Sequence, residues 1–459
     1  MTQDPSGGPP EPQPHEPELP GGGAGEPPAD TADPGQPAGA AAASAPSPDR
    51  GPFHGLDRAV WDAITQGSST VVTILAIFLA LVLGGLLIAF SDTSVLHEWS
   101  TFFSHPGSAI SAAWQSVASA YSAMFEGAIF DPSTIGAAFH GGSVGAIFYP
   151  LSQTTFQATP LILTGLSVAL AFRAGLFNIG AASQWIGGAI VATYLGFAIS
   201  LPVVLHAIVC LIGGFAGGAV MGWVVGALKA RTGAHEVIVT IMLNYVMYDL
   251  LNYLLGTPKA LQQPGQSNLI TPNIHPSAQL PHVGGPPPQV GVGFLIALAA
   301  AAAVWWLLAR STTGFEFRTV GANPSAARSA GMSVLRVWVL VMVLAGGLAG
   351  LSGAVTTQGF YHSLNTLSYG SYGITGITVA LLGRARPLGV VLAALLFGAL
   401  DTGGTVMQAA TSVPVDITEV LQGLIVLFVA APLFIRVVFR LRAARAGGGM
   451  EAVAKGWNG

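Results

Sequence analysis

The sequence predicts an all-α fold: a polytopic transmembrane helical bundle of about ten spans with both termini in the cytosol. Three observations predict it. Of 459 residues, 51% are apolar and only 8% are charged, and the mean hydropathy is +0.61. Several windows exceed eighteen residues with almost no charge, which a soluble domain would not need. The basic residues sort to one face once the spans are placed. A membrane β-barrel would instead read as roughly ten-residue alternating segments separated by turns.

Residues 1–55 stand apart. They are rich in Pro, Gly, Ala and Glu and hold no large aromatic before Phe53. Such a segment buries too little surface to offset its ordering entropy, so it reads as a disordered cytosolic tail. No apolar core lies near Met1, which excludes a cleavable signal peptide and makes the first span an uncleaved signal anchor. A transmembrane domain follows at 61–440, and 441–459 reads as a cytosolic C-terminal tail.

The spans fall at 71–90, 159–172, 182–200, 203–228, 236–255, 291–309, 336–357, 367–383, 387–404 and 417–435. With a cytosolic N-terminus, the inner face receives Arg50, Arg58, Arg173, Lys229, Arg231, Arg310, Arg318, Arg328, Arg336, Arg384, Arg386, Arg436, Arg440, Arg442, Arg445 and Lys455. Only Lys259 falls outside, as the positive-inside rule demands. The stretch 143–158 is apolar enough to blur the second span, and Pro150 and Pro160 predict that it is broken.

Two outer loops are long. In 91–158, Ile110, Ala113, Trp114, Val117, Tyr121, Met124 and Phe125 recur at three- and four-residue steps. They predict one apolar face on a helix lying along the outer surface. Loop 256–290 is packed with Pro, Gln and Asn and reads as irregular. Either loop suits contact with an external partner or a cap over the bundle mouth.

Polar and small residues mark the spans. Gly214, Gly218, Gly222 and Gly226 form a four-residue repeat that lets another helix backbone approach, for static packing or for sliding. Thr240, Asn244, Tyr248 and Asn252 form a slowly winding polar stripe, with Asn178 and Gln184 nearby. These groups either bond neighbouring helices or line a polar path. The acidic residues Glu236, Asp249, Asp401, Asp416 and Glu419 are placed near span ends, within reach of water. The absence of a mid-membrane carboxylate weighs against ion coupling. Neutral amide, hydroxyl and phenol groups suit a neutral, polyhydroxylated solute.

The chain lacks a phosphate-cradling Gly-x-x-x-x-Gly-Lys-Ser/Thr motif, a metal-ligand spacing and a recognisable nucleophilic triad. It therefore reads as a non-enzyme, with no cofactor in this chain and no nucleic-acid partner. The lone Cys210 reads as a small buried hydrophobe.

Between spans 291–309 and 336–357 lies a basic island. Asn323 suits a helix cap, Pro324 its first position and Gly331 its stop. A short helix at 324–330 follows, with Ala326, Ala327 and Ala330 forming a shallow apolar side. It either displays itself to a partner or holds the loop to the lipid surface.

Several blocks together resemble the integral-membrane permease subunit of ATP-binding-cassette importers of the branched-chain amino acid, ribose and nucleoside group. The resemblance is greatest to the longer permease of nucleoside (simple-sugar) systems. The blocks are 163–180 with Gln184, 236–245 with 256–258, 320–332, 376–389 with 397–400, and 422–428. They span about 61–440. The chain departs from the family pattern at Ala182 and Ser183, where Glu-Gly is common, and at His235, where Asn is common.

The resemblance implies that loop 314–336 couples to a separate cytosolic ATPase, which binds the ATP and Mg. Gly321, Asn323, Pro324, Ala326, Ala327, Arg328 and Gly331 hold the coupling positions. It also implies a second permease subunit in a heterodimer, an extracellular lipid-anchored solute-binding protein, and multi-pass residence in a bacterial cytoplasmic (inner) membrane among its lipids. The solute is expected to be a nucleoside, passing Asn178, Gln184, Thr240, Asn244 and Tyr248, with ribose or other simple sugars and branched-chain amino acids as alternatives. A self-contained secondary transporter or channel is the competing class. It would need mid-span charges or paired broken helices.

Overall fold

The computed structural model describes residues 69–100, 103, 105–132, 134–135, 144–258, 260–283, 290–366, 371–411 and 413–440. The expected tails 1–55 and 441–459, and Lys259, lie outside the described residues. Among the described residues are fifteen helices and one two-stranded hairpin, as an all-α membrane fold requires.

The helices are α1 (Ser69–Ser91), α2 (Thr93–Ser100), α3 (Pro106–Ala128), α4 (Tyr149–Arg173), α5 (Ala181–Ala198), α6 (Val203–Thr232), α7 (Glu236–Gly256) and α8 (Val292–Arg310). They continue with α9 (Thr312–Ala322), α10 (Pro324–Ser329), α11 (Val334–Thr356), α12 (Tyr372–Leu382), α13 (Pro387–Thr411), α14 (Asp416–Ala430) and α15 (Pro432–Val438). Strands β1 (His282–Val283) and β2 (Val290–Gly291) pair antiparallel.

Burial separates inner helices from outer ones. In α4 every residue from Ala158 to Ala171 is buried, the mark of a helix apolar all round and surrounded by protein. Helices α5 and α11 share that core. Helices α6, α7 and α8 bury under a third of their most apolar windows and turn large side chains outward, as lipid contact requires.

The glycine repeat of α6 sets the closest helix pair. A Cβ on Gly218 would overlap the Gly346 carbonyl oxygen, and one on Gly350 would overlap that of Gly214. Gly222 meets the Met342 carbonyl and Gly226 the Val339 backbone. The two backbones touch, as small residues at four-residue spacing permit.

Each of the ten expected spans coincides with helix, but not all as expected. Seven helices among the described residues are long and apolar enough to cross a membrane, and α14–α15 would add an eighth if its 89° bend lies within one span. Of the segment expected at 367–383, residues 367–370 lie outside the described residues and the rest holds the eleven-residue α12. At 1.5 Å per residue it extends about 16 Å, against a hydrocarbon core of about 30 Å. The break expected at Pro150 and Pro160 is absent. Pro150 sits in the first turn of α4, where its missing N–H has no intrahelical partner to lose. Pro160 is held inside the helix, its carbonyl accepting from Thr164 Oγ1 at 2.8 Å and Ser352 Oγ at 3.0 Å.

Two carboxylates also depart from expectation. Helix α13 runs to Thr411, so Asp401 lies well inside it rather than at a span end. Its Oδ1 accepts from Gln422 Nε2 at 2.6 Å, linking α13 to α14. Glu236 is buried rather than water-accessible, because Lys229 Nζ donates to its Oε2 at 2.5 Å. In α3 the expected apolar face divides: Val117, Tyr121 and Met124 pack inward, while Ile110, Trp114 and Phe125 are exposed. The small residues Ala109, Ala120, Ala123 and Gly127 are the buried ones, Gly127 meeting Val406 of α13, where Met124 also packs on Gly403.

Candidate functional site

The basic helix ends gather at one end of the bundle. Arg173 Nε donates to the Ala385 carbonyl at 2.9 Å, and Arg384 Nη2 to Thr73 Oγ1 at 3.3 Å. The Lys229 ammonium sits 4.8 Å from the Trp338 ring centroid, and Glu236 Oε1 accepts from Phe177 N at 3.5 Å. Each contact joins two termini that the charge distribution assigns to the same face.

The basic island is built on this end. It is two helices, not one loop with a single turn. Ser311 Oγ caps α9 by accepting from Gly314 N at 2.9 Å, and Phe317 and Val320 are buried. Gly321 lies against the Arg173 carbonyl and Gly175, too close for any side chain. Asn323 then caps α10, its Oδ1 accepting from Ser325 N at 2.9 Å and Ala326 N at 3.0 Å. Pro324 occupies the first position. Gly331 takes φ +82°, with Gly331 N donating to Arg328 O and Met332 N to Ala327 O, a Schellman stop.

One expectation fails here. Ala327 is 0% exposed and belongs to the main core, so Ala326, Ala327 and Ala330 do not form one open side. A six-residue helix needs an anchor, and the Ala327 methyl supplies it. The outward face carries Ala326, Arg328 and Ala330.

The interior amides are committed to each other. Asn178 Nδ2 donates to Gln184 Oε1 at 2.8 Å and to Ser167 Oγ at 3.1 Å, and Gln184 Nε2 returns to Asn178 Oδ1 at 3.0 Å. Both residues are fully buried. Asn244 ties α7 to the start of α5: its Oδ1 accepts from Ser183 N and its Nδ2 donates to Ile179 O, each at 3.0 Å. The Thr240 hydroxyl donates to the Glu236 carbonyl at 2.8 Å within its own helix, and Tyr248 is partly exposed.

A second group converges at the other end of α4. Helix α11 runs into a π-helical turn, Thr357–Tyr361, which ends at His362 with φ +55°. Tyr361 Oη lies 3.3 Å from Tyr372 Oη, and Tyr372 Oη donates to Gln157 Oε1 at 3.3 Å. Gln157 and Tyr372 line a narrow cleft with Phe156, Thr159, Thr356 and Phe360. The outer loop straps this turn. Leu280 N donates to Gln358 O, Ile274 N to His362 O and Thr271 N to Leu364 O, at 3.1, 2.8 and 3.0 Å. Sequence reading passed over Gln157, Tyr361 and Tyr372. The signal available was Phe360, Tyr361, Ser363 and Asn365, polar and aromatic residues between two expected spans.

Comparison with known proteins decides what this architecture serves. A family model described as "Branched-chain amino acid transport system / permease component" matches residues 151–430. The chain belongs to this permease family. A guanosine ABC transporter permease of Bacillus subtilis is 39% identical over 70% of this permease and 88% of its own length. A nucleoside ABC transporter permease of Lactococcus lactis subsp. cremoris is 36% identical over 66% and 85%, and a glucose ABC transporter permease of Haloferax volcanii is 34% identical over 63% and 78%. No solved structure matches. The permease is thus the membrane subunit of an ATP-binding-cassette importer, not an enzyme in its own right.

Proposed function

We propose that this permease imports nucleosides and takes its driving force through α10. The observation that carries the coupling role is the capped, Ala327-anchored α10, which presents Ala326, Arg328 and Ala330 on the basic end of the bundle. A short rigid helix seated on the cores of α9 and α11 transmits displacement to the bundle, whereas a flexible loop would absorb it. The basic end is the cytosolic one by the charge rule. There α10 meets an ATPase that holds the ATP and Mg.

Nucleoside as the solute is supported by two relatives, 39% and 36% identical, that bear guanosine and nucleoside in their names. A simple sugar is the second reading, supported by the relative named for glucose. A second permease chain forms a heterodimer with this one. A lipid-anchored solute-binding protein delivers solute to the opposite end, in a bacterial inner membrane. Conformational change under ATP reaches only as far as the partners' differential affinity for the two states.

The experiment is uptake of labelled guanosine and glucose into vesicles holding the ATPase, both permeases and the binding protein. ATP-dependent guanosine uptake that is lost when this chain is omitted supports the reading. Glucose uptake without guanosine uptake overturns the choice of solute.

A further inference from the structure

We infer that Gln157, Tyr361 and Tyr372 form a solute-contact site that takes the sugar hydroxyls of a nucleoside while flanking aromatic rings receive its base; this rests on the importer reading above. Three elements supply the groups: Gln157 from α4, Tyr361 from the π-helical turn and Tyr372 from the first turn of α12. They are brought together across 215 residues of sequence, so no local backbone need explains the meeting.

Their hydrogen bonds differ from those of the locked amides. Both are 3.3 Å long, against 2.8–3.1 Å for the Asn178, Ser167 and Gln184 contacts. A hydroxyl–hydroxyl bond prefers about 2.7–2.8 Å, so these are loosely engaged and open to exchange with a solute hydroxyl. The chain from Tyr361 through Tyr372 to Gln157 offers donors and acceptors and no charge, the chemistry that suits a ribose edge.

The setting is aromatic. The Phe156 and Phe360 rings lie 5.7 Å apart, Phe360 and Tyr361 5.1 Å, and Trp185 and Tyr372 6.2 Å. Planar rings of this kind stack on any nucleobase. A narrow cleft beside them is lined by Phe156, Gln157, Phe360 and Tyr372.

One buried donor near this group is unpaired. Trp185 is fully buried and its indole N–H has no hydrogen-bond partner among the described residues. Buried donors are paired in the great majority of cases. Trp185 lies behind Tyr372, with 6.2 Å between ring centroids, in a separate apolar cluster.

The backbone agrees. Non-helical backbone at membrane depth occurs where it is buried in protein or lines a cavity. Here segment 362–366, which follows the π-helical turn, leaves the helical path beside the site. Gln157 lies sixteen residues before Arg173, roughly 24 Å along α4 from the basic end. The site is therefore the outer gate, on the side opposite α10.

The test uses the complete transporter in vesicles and labelled guanosine. Tyr361→Phe and Gln157→Leu should each raise the half-saturating guanosine concentration about fivefold or more, the effect of one lost hydrogen bond. In a chain carrying Cys210→Ala and Tyr361→Cys, guanosine should slow thiol labelling at position 361 several-fold. Labelling of Trp114→Cys, on the exposed face of α3, should be unaffected by guanosine. If wild-type transporter imports guanosine while both variants keep its half-saturation and position 361 labels equally with and without solute, the site is refuted. Gln157→Leu and the labelling measurement decide the matter if Tyr361→Phe fails to assemble. A wild-type complex that imports no nucleoside overturns the choice of nucleoside as solute, and this site with it.

Discussion

Asn178 and Gln184 hold each other in a reciprocal amide pair, Nδ2 to Oε1 at 2.8 Å and Nε2 to Oδ1 at 3.0 Å. The pair closes the turn between α4 and α5 with no side-chain surface left over. Asn178→Ala leaves the Gln184 amide buried and unpaired, a loss of about 1–3 kcal/mol. The purified complex should melt at lower temperature, and Asn178→Ala with Gln184→Ala should cost less than the two singles summed. Unchanged melting with weakened solute saturation would instead place the pair on the path.

Asn244 is committed in the same way, to Ser183 N and Ile179 O. Asn244→Leu strips two backbone groups at the α5 start of their partners. Membrane abundance of the permease should fall. Normal abundance with a changed uptake curve would mark a path residue rather than a tie.

The two neighbouring alanines of α10 should behave oppositely. Ala326 is exposed and Ala327 fully buried. Ala326→Glu should leave the complex assembled and its nucleotide binding intact while uptake per ATP hydrolysed falls at least about tenfold, the effect of a coupling loss of about 1.4 kcal/mol. Ala327→Glu places a carboxylate in the core and should abolish accumulation of the folded chain. Equal, mild effects from both would show that α10 is an ordinary surface turn.

Glycines on α6 and α14 offer a graded test of packing. Gly218→Leu forces α6 away from Gly346 and Gly350 and should prevent a stable bundle from forming. Gly423 has nothing within 4 Å of where a Cβ would stand. Gly423→Ala should be tolerated and should stabilise α14 by up to about 1 kcal/mol. Thermal melting of the two variants, side by side, checks both statements.

What the sequence made legible is local. Asn323, Pro324 and Gly331 announce α10 because cap, first position and stop are set by adjacent backbone needs. The glycine repeat announces close helix contact for the same reason: its period is that of one helix face. What stayed hidden is non-local. Nothing near Gln157 in the sequence reports Tyr372, and nothing near Asp401 reports Gln422. Ala327 was misread because helix periodicity says which residues share a face, while its burial depends on where α9 and α11 hold that face.

The central claim is that this chain carries solute only when a separate ATPase acts on α10. The most direct measurement is guanosine accumulation in sealed vesicles, comparing the complete transporter, the complete transporter with Ala326→Glu, and this permease alone. Accumulation against a gradient by the first, and by neither of the others, is the predicted result. Guanosine flux through the permease alone, with no ATPase present, would contradict it.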